Sequence, residues 1–380
     1  MRPTLAFLIR DLGYGGAQRQ LAILACGLAA RGDFNVHVVC FYGGPLRCEL
    51  ENAGIPVHCI EKGHRWDLAG FFLRLVGTLR RIRPDLVHSY LAEANLMASL
   101  TRPFCRRPTI VWGIRDSQSD AHQWGILGKL AFRLNVKLSS TARGLISNSH
   151  AGRQWYREQG YPMDDEDFRV IPNGIDVSRF APSAMAQSIR KAWGFDDRHS
   201  VVGIIGRLNP MKDHPTFLQA AARVAADSPN VRFVVMGHGP EAYLAELTGL
   251  AEKLGLSDKL RWLPPQQDLE NVYPVLTTLV SSSSFGEGFS NVIGEAMACG
   301  IPCVATAVGD SALLIGDSGW TCQPGDPDTL AAGILHLLQL SRDKRSELSQ
   351  SARKRIEDNF TTDLMVQRTA SALIHWLPLK

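Results

Sequence analysis

The residues best suited to chemistry lie in one stretch, 284–297, which holds two glutamates eight positions apart. Glu287 stands among glycines, and Glu295 lies in a run of apolar and small residues that a glycine and a proline end in the manner of a helix. A short apolar segment, 278–281, precedes the stretch. We therefore predict a strand, a glycine-flanked loop and a helix in this order.

The start of this predicted helix suits an anion. Ser290 is the expected N-cap, and the backbone N–H groups of Ser290, Asn291 and Val292 would then be free to bind a phosphate. Asn291 and Glu295 share a helix face, where they could bond hydroxyls beside that phosphate. A sugar nucleotide fits this pattern, with Glu295 on the ribose and Glu287 on the sugar ring. A solvated loop glutamate and a surface helix glutamate are the plainer alternative.

Two cations follow another predicted strand, 200–205. Arg207 could bind phosphate oxygens through two parallel hydrogen bonds, and Lys212 could act as a point charge. Together they could neutralise a diphosphate leaving group. Two ordinary surface cations would give the same pattern.

Two glycine turns could bring the backbone close to a ligand, because glycine has no Cβ atom. Gly15 and Gly16 follow the first predicted strand, and Gly237 and Gly239 follow a later one. The spacing around Gly15 does not match the G-x-G-x-x-G fingerprint, so it does not indicate NAD binding. A purely structural turn is an equal alternative for Gly237 and Gly239.

Composition indicates a folded chain of two domains. The 380 residues are 45% hydrophobic, without a low-complexity tract or an uncharged apolar run long enough to span a membrane. The apolar N-terminal segment 5–9 is too short for a signal peptide. Eight cysteines without a C-x-x-C pair predict free buried thiols in a reducing cytosol. The acidic run 164–167 reads as a solvated loop and not as a metal site.

Charge is unevenly spread along the chain. Residues 1–180 carry 23 basic and 16 acidic side chains, a balance of +7, and residues 181–380 carry 18 and 21, a balance of −3. A basic first half suits an anionic lipid surface or an anionic acceptor, and it also fits solvated arginines. No nucleic-acid-binding motif accompanies it.

Strands alternate with helices in both halves, which predicts doubly wound parallel sheets. We expect strands at 5–9, 36–41, 55–60, 86–88, 109–114, 144–147, 200–205, 231–236, 260–263, 276–282 and 303–306. Such sheets bind ligands at the carboxyl ends of their strands, where His88, Arg115 and Asn148 fall. Asn173 lies in an Asn-Gly turn, after which a polar segment marks a domain boundary.

These motifs resemble those of the GT4 family of retaining glycosyltransferases. The stretch 284–297 resembles the family's E-x7-E signature, and Gly-Arg-Leu before Lys212, the turn 171–176 and the run 305–309 resemble further family motifs. The resemblance covers nearly the whole chain and is most specific in the C-terminal half. It implies the GT-B fold, in which two Rossmann-like domains face each other across a cleft.

The resemblance also implies how the chain is divided. Residues 1–180 would form the acceptor-binding domain, and residues 181–362 would bind the nucleotide sugar. A final helix, within 363–380, would cross back to the first domain.

Roles for individual residues follow from the same resemblance. Glu287, Arg207 and Lys212 would be catalytic. The donor would be bound by Gly15, Gly16, Arg115, Gly237, Gly239, Phe289, Ser290, Asn291, Val292 and Glu295, and His88, Asn148 and Asn173 could line the cleft. The family's chemistry implies no metal ion and no cofactor, since the nucleotide sugar is a substrate.

One position departs from the family pattern. Many members carry a histidine after the strand equivalent to 109–114, whereas this chain has Arg115. A permanently protonated arginine cannot act as a base, but it could bind phosphate or an anionic acceptor. His88, at another strand end, could face the cleft or be a core histidine.

The resemblance implies a retaining hexosyltransferase. It would move a hexose or N-acetylhexosamine from a nucleotide-diphosphate sugar, with UDP favoured over GDP, to a saccharide or lipid-linked saccharide in cell-surface polysaccharide synthesis. We expect a cytoplasmic protein that could dock on anionic lipid through the basic amphipathic segment 71–83, although a sheet-covering helix fits that segment too. A catalytically silent protein that binds sugar nucleotides or glycans, and an epimerase of the same fold, are the alternatives.

Overall fold

The computed structural model describes residues 2–61, 63, 67–117, 125–161, 164–183 and 185–378. The chain forms two compact units, Met1–Gly174 with Thr362–Lys380, and Ile175–Thr361. The first passage between units therefore comes at Gly174, whereas the sequence predicted residue 180. The reason is local: the buried side chain of Gln20 donates to the carbonyl oxygen of Gly174 and accepts from its N–H, both at 3.0 Å, so this turn belongs to the first unit.

The first unit is a parallel sheet covered by helices. Its strands are β1 (Thr4–Ile9), β2 (Asn35–Cys40), β3 (Val57–Cys59), β4 (Leu86–Tyr90), β5 (Thr109–Ile114), β6 (Gly144–Ser147) and β7 (Phe168–Val170), and its helices are α1 (Gly16–Arg31), α2 (Leu46–Asn52), α3 (Leu68–Ile82), α4 (Ala92–Thr101), α5 (Ile126–Ser139) and α6 (His150–Glu158). Over the described residues the strand order is β3-β2-β1-β4-β5-β6-β7. This order reverses between β1 and β4, where ligands bind in doubly wound sheets.

Strand β1 shows how the sequence builds both faces of this sheet. Leu5, Phe7 and Ile9 point to the face that α1 covers, and Ala6 and Leu8 point to the face that α3 covers. All five are fully buried. A strand buried on both faces is apolar at every position, as expected for a central parallel strand.

The second unit repeats the architecture. Its strands are β8 (Ser200–Ile205), β9 (Val231–Met236), β10 (Leu260–Leu263), β11 (Thr278–Ser281), β12 (Cys303–Thr306) and β13 (Gly319–Cys322), and its helices are α7 (Ala186–Ala192), α8 (His214–Asp227), α9 (Glu241–Lys253), α10 (Leu269–Val272), α11 (Asn291–Ala298), α12 (Ser311–Ile315), α13 (Pro327–Leu338) and α14 (Arg342–Asn359). The described strands run parallel in the order β10-β9-β8-β11-β12-β13. The predicted fold class, two doubly wound α/β units, is thus confirmed.

The last helix, α15 (Thr362–His375), belongs to the first unit, as predicted. Its apolar face, including Val366, Leu373 and the following Trp376, joins the core under α1. The two helices pack closely at Gly27, where an added Cβ would lie 2.5 Å from a methyl group of Val366.

Gln20 supplies a test of how the turn at Gly174 is held to the first unit. Leucine at this position fills a similar volume but leaves the carbonyl oxygen of Gly174 unpaired, and the N–H of Gly174 keeps only the weak sulfur acceptor of Met365. Each buried polar group without a partner costs about 1–3 kcal/mol. We expect Gln20→Leu to lower the melting temperature of the full chain in calorimetry.

The matched control is Gln154→Leu, because the amide of Gln154 bonds Glu158 on the exposed surface of α6. That variant should stay within about 0.5 kcal/mol of the wild type. Equal losses in both variants would contradict the role of Gln20.

Candidate active site

The candidate site lies in the second unit, where β8 and β11 end. These strands are neighbours, and the helices that follow them leave on opposite faces of the sheet: α8 packs on one face and α11 on the other. The strand order reverses at this point, and doubly wound sheets bind ligands at the carboxyl ends of the two strands where this happens.

The two predicted cations occupy different environments. Arg207 follows β8 directly and is exposed, without a hydrogen bond or ion pair to any part of the chain that the structure describes. Lys212 ends a 3-10 turn, Pro210–Lys212, in which its N–H donates to the side chain of Asn209 at 3.2 Å. The hydroxyl of Ser282 donates to the carbonyl oxygen of Lys212 at 2.8 Å. The backbone of Lys212 is therefore fixed from both sides.

Glu287 and Lys212 contact each other directly. The ammonium group of Lys212 donates to Oε1 of Glu287, and their side chains are only 15% and 10% exposed, respectively. The hydroxyl of Ser283 donates to the same oxygen at 3.0 Å, and Thr306 donates to the carbonyl oxygen of Ser283 at 2.6 Å. The sequence assigned these two charges to different parts of a ligand, and the structure shows that they also neutralise each other.

The loop that carries Glu287 rests on a glycine turn. Gly309 has a positive φ of 60°, and an added Cβ there would lie 2.0 Å from the carbonyl oxygen of Glu287. The N–H of Asp310 donates to the carbonyl oxygen of Gly288 at 3.0 Å. This contact explains a glycine at the end of the run 305–309.

Helix α11 begins at Asn291, with Ser290 in the N-cap position. The position agrees with the prediction, but the Ser290 side chain caps no N–H group. Its hydroxyl has no hydrogen-bond partner among the described residues, although Ser290 is only 2% exposed. A buried hydroxyl without a partner is unfavourable, and a phosphate oxygen at the helix start would satisfy it together with the first-turn N–H groups of Asn291 and Val292.

Glu295 lies on the buried side of α11, which rules out the surface alternative. The hydroxyl of Tyr273 donates to Oε2 of Glu295 at 2.7 Å. Burial, and then the Glu295 carboxylate, hold the pKa of Tyr273 well above its ordinary value. Tyr273 therefore stays protonated and is always the donor in this bond.

The turn after β9 is built for close backbone contact. A Cβ at Gly237 would lie 1.8 Å from the carbonyl oxygen of Gly206, and one at Gly239 would lie 2.3 Å from that of Leu208. The N–H of Leu208 donates to the carbonyl oxygen of His238 at 2.8 Å. Both positions therefore require glycine for a structural reason, because the turn packs against the loop that carries Arg207.

Phe289 is a core residue. Its side chain is buried, and its ring lies 5.5 Å from that of Phe360. Any contact of Phe289 with a ligand would have to come from its backbone.

In the first unit, Arg115 follows β5 and is half-buried, with its guanidinium group 4.0 Å above the centre of the Tyr90 ring. His88 is fully buried beside Tyr90, and its Nδ1 lies 3.1 Å from the carbonyl oxygen of Val111. Burial, and then the charge of Arg115, lower the pKa of His88 to about 3, so its imidazole is neutral. Of the two alternatives for His88, the structure supports the core histidine.

The other predicted residues of the first unit lie at strand ends or turns. Gly15 precedes α1, and a Cβ there would lie 2.2 Å from Oε1 of Gln18; Gly16 begins the helix and is exposed. Asn148 follows β6 and is buried, and its Oδ1 has no partner within the described ranges. Asn173 is buried next to the turn that Gln20 holds.

Three contacts of the site were missed from sequence. Ser283 donates a hydrogen bond to Glu287, Thr306 donates one to the backbone of Ser283, and Tyr273 donates one to Glu295. The hydroxyl-rich run 281–284 after β11 could have indicated the first contact. Tyr273 has no such signal, since it lies 22 positions before its partner in a segment with no motif.

Among residues 2–378, outside the gaps given above, no group of three or more His, Cys, Asp or Glu side chains could hold a metal ion. No helix in the described part of the chain is long and apolar enough to cross a membrane. All eight cysteines are free, as the sequence predicted, but they are not all buried as expected: Cys48 is exposed, and Cys26 and Cys59 are half-buried.

Two family models match the chain. The model "Glycosyltransferase Family 4" matches residues 14–179, and the model "Glycosyl transferases group 1" matches residues 185–355. Together they span both units. The chain belongs to glycosyltransferase family 4.

Relatives and solved structures agree with this assignment. D-inositol 3-phosphate glycosyltransferase of Mycobacterium sp. (strain JLS) is 38% identical over 159 residues, which make up 40% of this chain and 35% of the relative. The corresponding protein of Salinispora arenicola is 34% identical over 230 residues, 56% of this chain and 50% of the relative. The chain thus spans about a third to a half of the length of these curated relatives.

The fold of this family member is shared with Anabaena HepE, whose crystal structure was solved in complex with UDP-glucose. HepE is 24% identical, and the match covers 98% of this chain and 100% of HepE with a TM-score of 0.86. At this identity the similarity establishes the GT-B fold that the sequence predicted.

Gly309 supplies a test of how the Glu287 loop is supported. Alanine there must adopt a left-handed backbone and also displace the carbonyl oxygen of Glu287. Gly325→Ala is the matched control, because Gly325 has a φ of 71° but no heavy atom near its Cβ position. The backbone strain alone costs about 1–2 kcal/mol.

We expect Gly325→Ala to show only this strain in thermal unfolding, and Gly309→Ala to lose clearly more stability. Similar losses for the two variants would show that the contact with Glu287 is unimportant.

Proposed function

We propose that this chain is a retaining glycosyltransferase that moves a hexose or N-acetylhexosamine from a nucleotide-diphosphate sugar to a saccharide or lipid-linked saccharide, in the synthesis of a cell-surface polysaccharide. One observation carries the donor class. At the carboxyl ends of β8 and β11, Lys212 and Glu287 lie in the same crevice as a helix N-terminus that is left without a side-chain cap. A diphosphate with a sugar attached matches these groups.

The leaving group needs positive charge. In the proposed complex the diphosphate lies against Lys212, Arg207 and the N–H groups at the start of α11, and it accepts a hydrogen bond from Ser290. Preorganised donors and cations of this kind stabilise the charge that develops as the leaving group departs. The exposed guanidinium of Arg207 is available for this task without breaking an existing contact.

Donor binding has to change the Lys212–Glu287 contact. When phosphate reaches Lys212, the Glu287 carboxylate gains freedom to accept hydrogen bonds from sugar hydroxyls, while Ser283 still holds it in place. Glu287 thus neutralises Lys212 before binding and orients the sugar afterwards. On the far side of the nucleotide, Glu295 would accept from the ribose hydroxyls.

In the proposed reaction the bond between the anomeric carbon and the phosphate oxygen breaks, and the acceptor oxygen bonds that carbon on the same face. The acceptor proton passes to a phosphate oxygen of the departing diphosphate. Atoms and charges then balance without a nucleophile from the protein. UDP is the favoured nucleotide of the donor, which the UDP-glucose complex of HepE supports, and GDP is the second choice.

The first unit would bind the acceptor. Arg115 is a fixed cation held over Tyr90, and Asn148 follows the next strand of the sheet. An anionic acceptor suits Arg115, and the curated relatives carry a phosphorylated polyol, inositol 3-phosphate, in their name. Arginine at this position binds and does not act as a base.

The proposal separates binding from turnover. Glu295→Ala should weaken UDP binding, because a hydrogen bond to a charged group contributes about 1.5–3 kcal/mol, or roughly ten- to hundredfold in affinity. Arg207→Ala should mainly lower turnover, by about a hundredfold, and should weaken UDP binding to a smaller extent, because UDP carries the diphosphate that Arg207 would contact. Isothermal titration calorimetry with UDP and a UDP-release assay measure the two effects, and unchanged affinity in Glu295→Ala would remove that residue's role.

A catalytically silent protein that binds sugar nucleotides or glycans is the competing function. Thermal-shift screening of the full chain against UDP- and GDP-sugars identifies the donor, and product analysis then follows its slow hydrolysis without an acceptor. We expect release of the nucleoside diphosphate together with free sugar. Binding without any release would favour the silent protein, and conversion of the sugar without release would favour an epimerase.

Contact with an anionic membrane is a further part of the proposal, and helix α3 supports it. In the predicted segment 71–83, Phe71 and Leu75 are buried against the sheet, whereas Leu73 is 68% exposed. Leu68, at the start of the same helix and just before the segment, is 62% exposed. Arg80 and Arg81 are exposed on the same helix. Exposed leucines beside arginines can insert into an anionic lipid surface.

Vesicle sedimentation tests this contact. Wild-type protein should sediment with vesicles of phosphatidylcholine and phosphatidylglycerol but not with phosphatidylcholine alone. Leu73→Ser should lower this binding by about tenfold, since burying a leucine contributes about 1.5–3 kcal/mol. Leu244→Ser, at an exposed leucine of the other unit, is the matched control, and no sedimentation of the wild type would reject membrane contact.

A further inference from the structure

Tyr273 is a buried residue of the second unit that has no role in the proposed reaction. It is fully buried, and its hydroxyl donates to Oε2 of Glu295. Tyrosine has one hydroxyl proton, and this proton is committed to the carboxylate. The bond therefore occupies one oxygen of Glu295 and fixes the plane of its carboxyl group.

The segment that carries Tyr273 is held rigidly. Its ring packs at 5.9 Å against that of Phe180, at an angle of 64°. Arg190 donates to the carbonyl oxygen of Val275 at 2.8 Å.

The short helix α10, which directly precedes Tyr273, is also held in place. Arg179 binds Glu270 of α10 through two nitrogens at 2.9 and 3.1 Å. Fixed contacts on both sides of Tyr273 leave its hydroxyl a single position, so it can act as a reference point for Glu295.

We propose that Tyr273 is a positioning residue for ribose recognition: its hydrogen bond to Glu295 turns the other carboxylate oxygen toward the ribose hydroxyls of the donor nucleotide. The inference rests on the proposed function, in which Glu295 binds the ribose. It adds that the selectivity for ribose over a sugar without hydroxyls depends on a tyrosine that touches no substrate.

The reason is the geometry of the carboxylate. A glutamate side chain has three rotatable bonds, and a carboxylate that loses the bond from Tyr273 samples more orientations, of which few bond a ribose hydroxyl. A bond to one oxygen restricts these orientations before the nucleotide binds, so that less conformational entropy is lost on binding. Without the bond from Tyr273, Glu295 can still bind the ribose hydroxyls, but the preference for UDP over its deoxy analogue falls.

The experiment compares UDP with its 2′,3′-dideoxy analogue by calorimetry, using the full chain. In the wild type we expect UDP to bind at least tenfold more tightly than the analogue, because a hydrogen bond to a charged group is lost. In Tyr273→Phe this ratio should fall severalfold through weaker UDP binding, with affinity for the analogue nearly unchanged. Tyr161→Phe, which removes a phenol hydroxyl buried in the other unit, should keep the wild-type ratio.

The outcomes separate two failures. If wild-type protein does not distinguish UDP from the analogue, the assignment of Glu295 to the ribose fails, and the proposed donor site fails with it. If the wild type distinguishes them and Tyr273→Phe does so equally well, only the positioning role fails. A lower melting temperature of Tyr273→Phe with an unchanged ratio counts as this second failure, since it shows a purely structural role.

Discussion

A lysine that is shielded from water needs a negative partner, and the second unit is built around the partner of Lys212. The ammonium group meets Glu287 in a position where both side chains are mostly buried. Removing one member of such a pair leaves a buried charge without compensation, which is strongly unfavourable. The hydroxyls of Ser283 and Thr306 and the turn at Gly309 all serve to keep the carboxylate where the lysine is.

The same end of the sheet leaves one buried hydroxyl unsatisfied. Ser290 is buried at the start of α11, and its hydroxyl bonds nothing in the described chain and caps none of the first-turn N–H groups. Native proteins satisfy almost all buried polar groups, so such exceptions concentrate where a ligand binds. The doubly wound topology explains the location, because β8 and β11 send their helices to opposite faces and leave their carboxyl ends uncovered.

The fold was largely readable from sequence because buried parallel strands are short apolar runs that end at turn residues. The bounds of β5, β8 and β9 and the start of α11 agree with prediction for this reason. Strand β13 was missed, since an edge strand that is half-exposed carries no apolar run.

The candidate site was less predictable. The types of its charged residues follow from their motifs, whereas their partners depend on contacts between distant segments. Glu287 lies 75 positions after Lys212, and the motif of each gives no sign of the other. Tyr273 and the structural role of Gly237 depend in the same way on how separate loops meet.

The internal pairing of Lys212 with Glu287 has a consequence for selectivity in a cell rich in small anions. An uncompensated lysine would attract inorganic phosphate or chloride, and these ions would compete with the sugar nucleotide. Here any anion must first displace a covalently tethered carboxylate that is always present at high local concentration. A lone phosphate ion brings too few contacts to do so, whereas the proposed sugar nucleotide would also engage the helix start, Glu295 and Glu287. Under the proposed function, the ion pair would thereby exclude abundant ions that resemble only part of a sugar nucleotide.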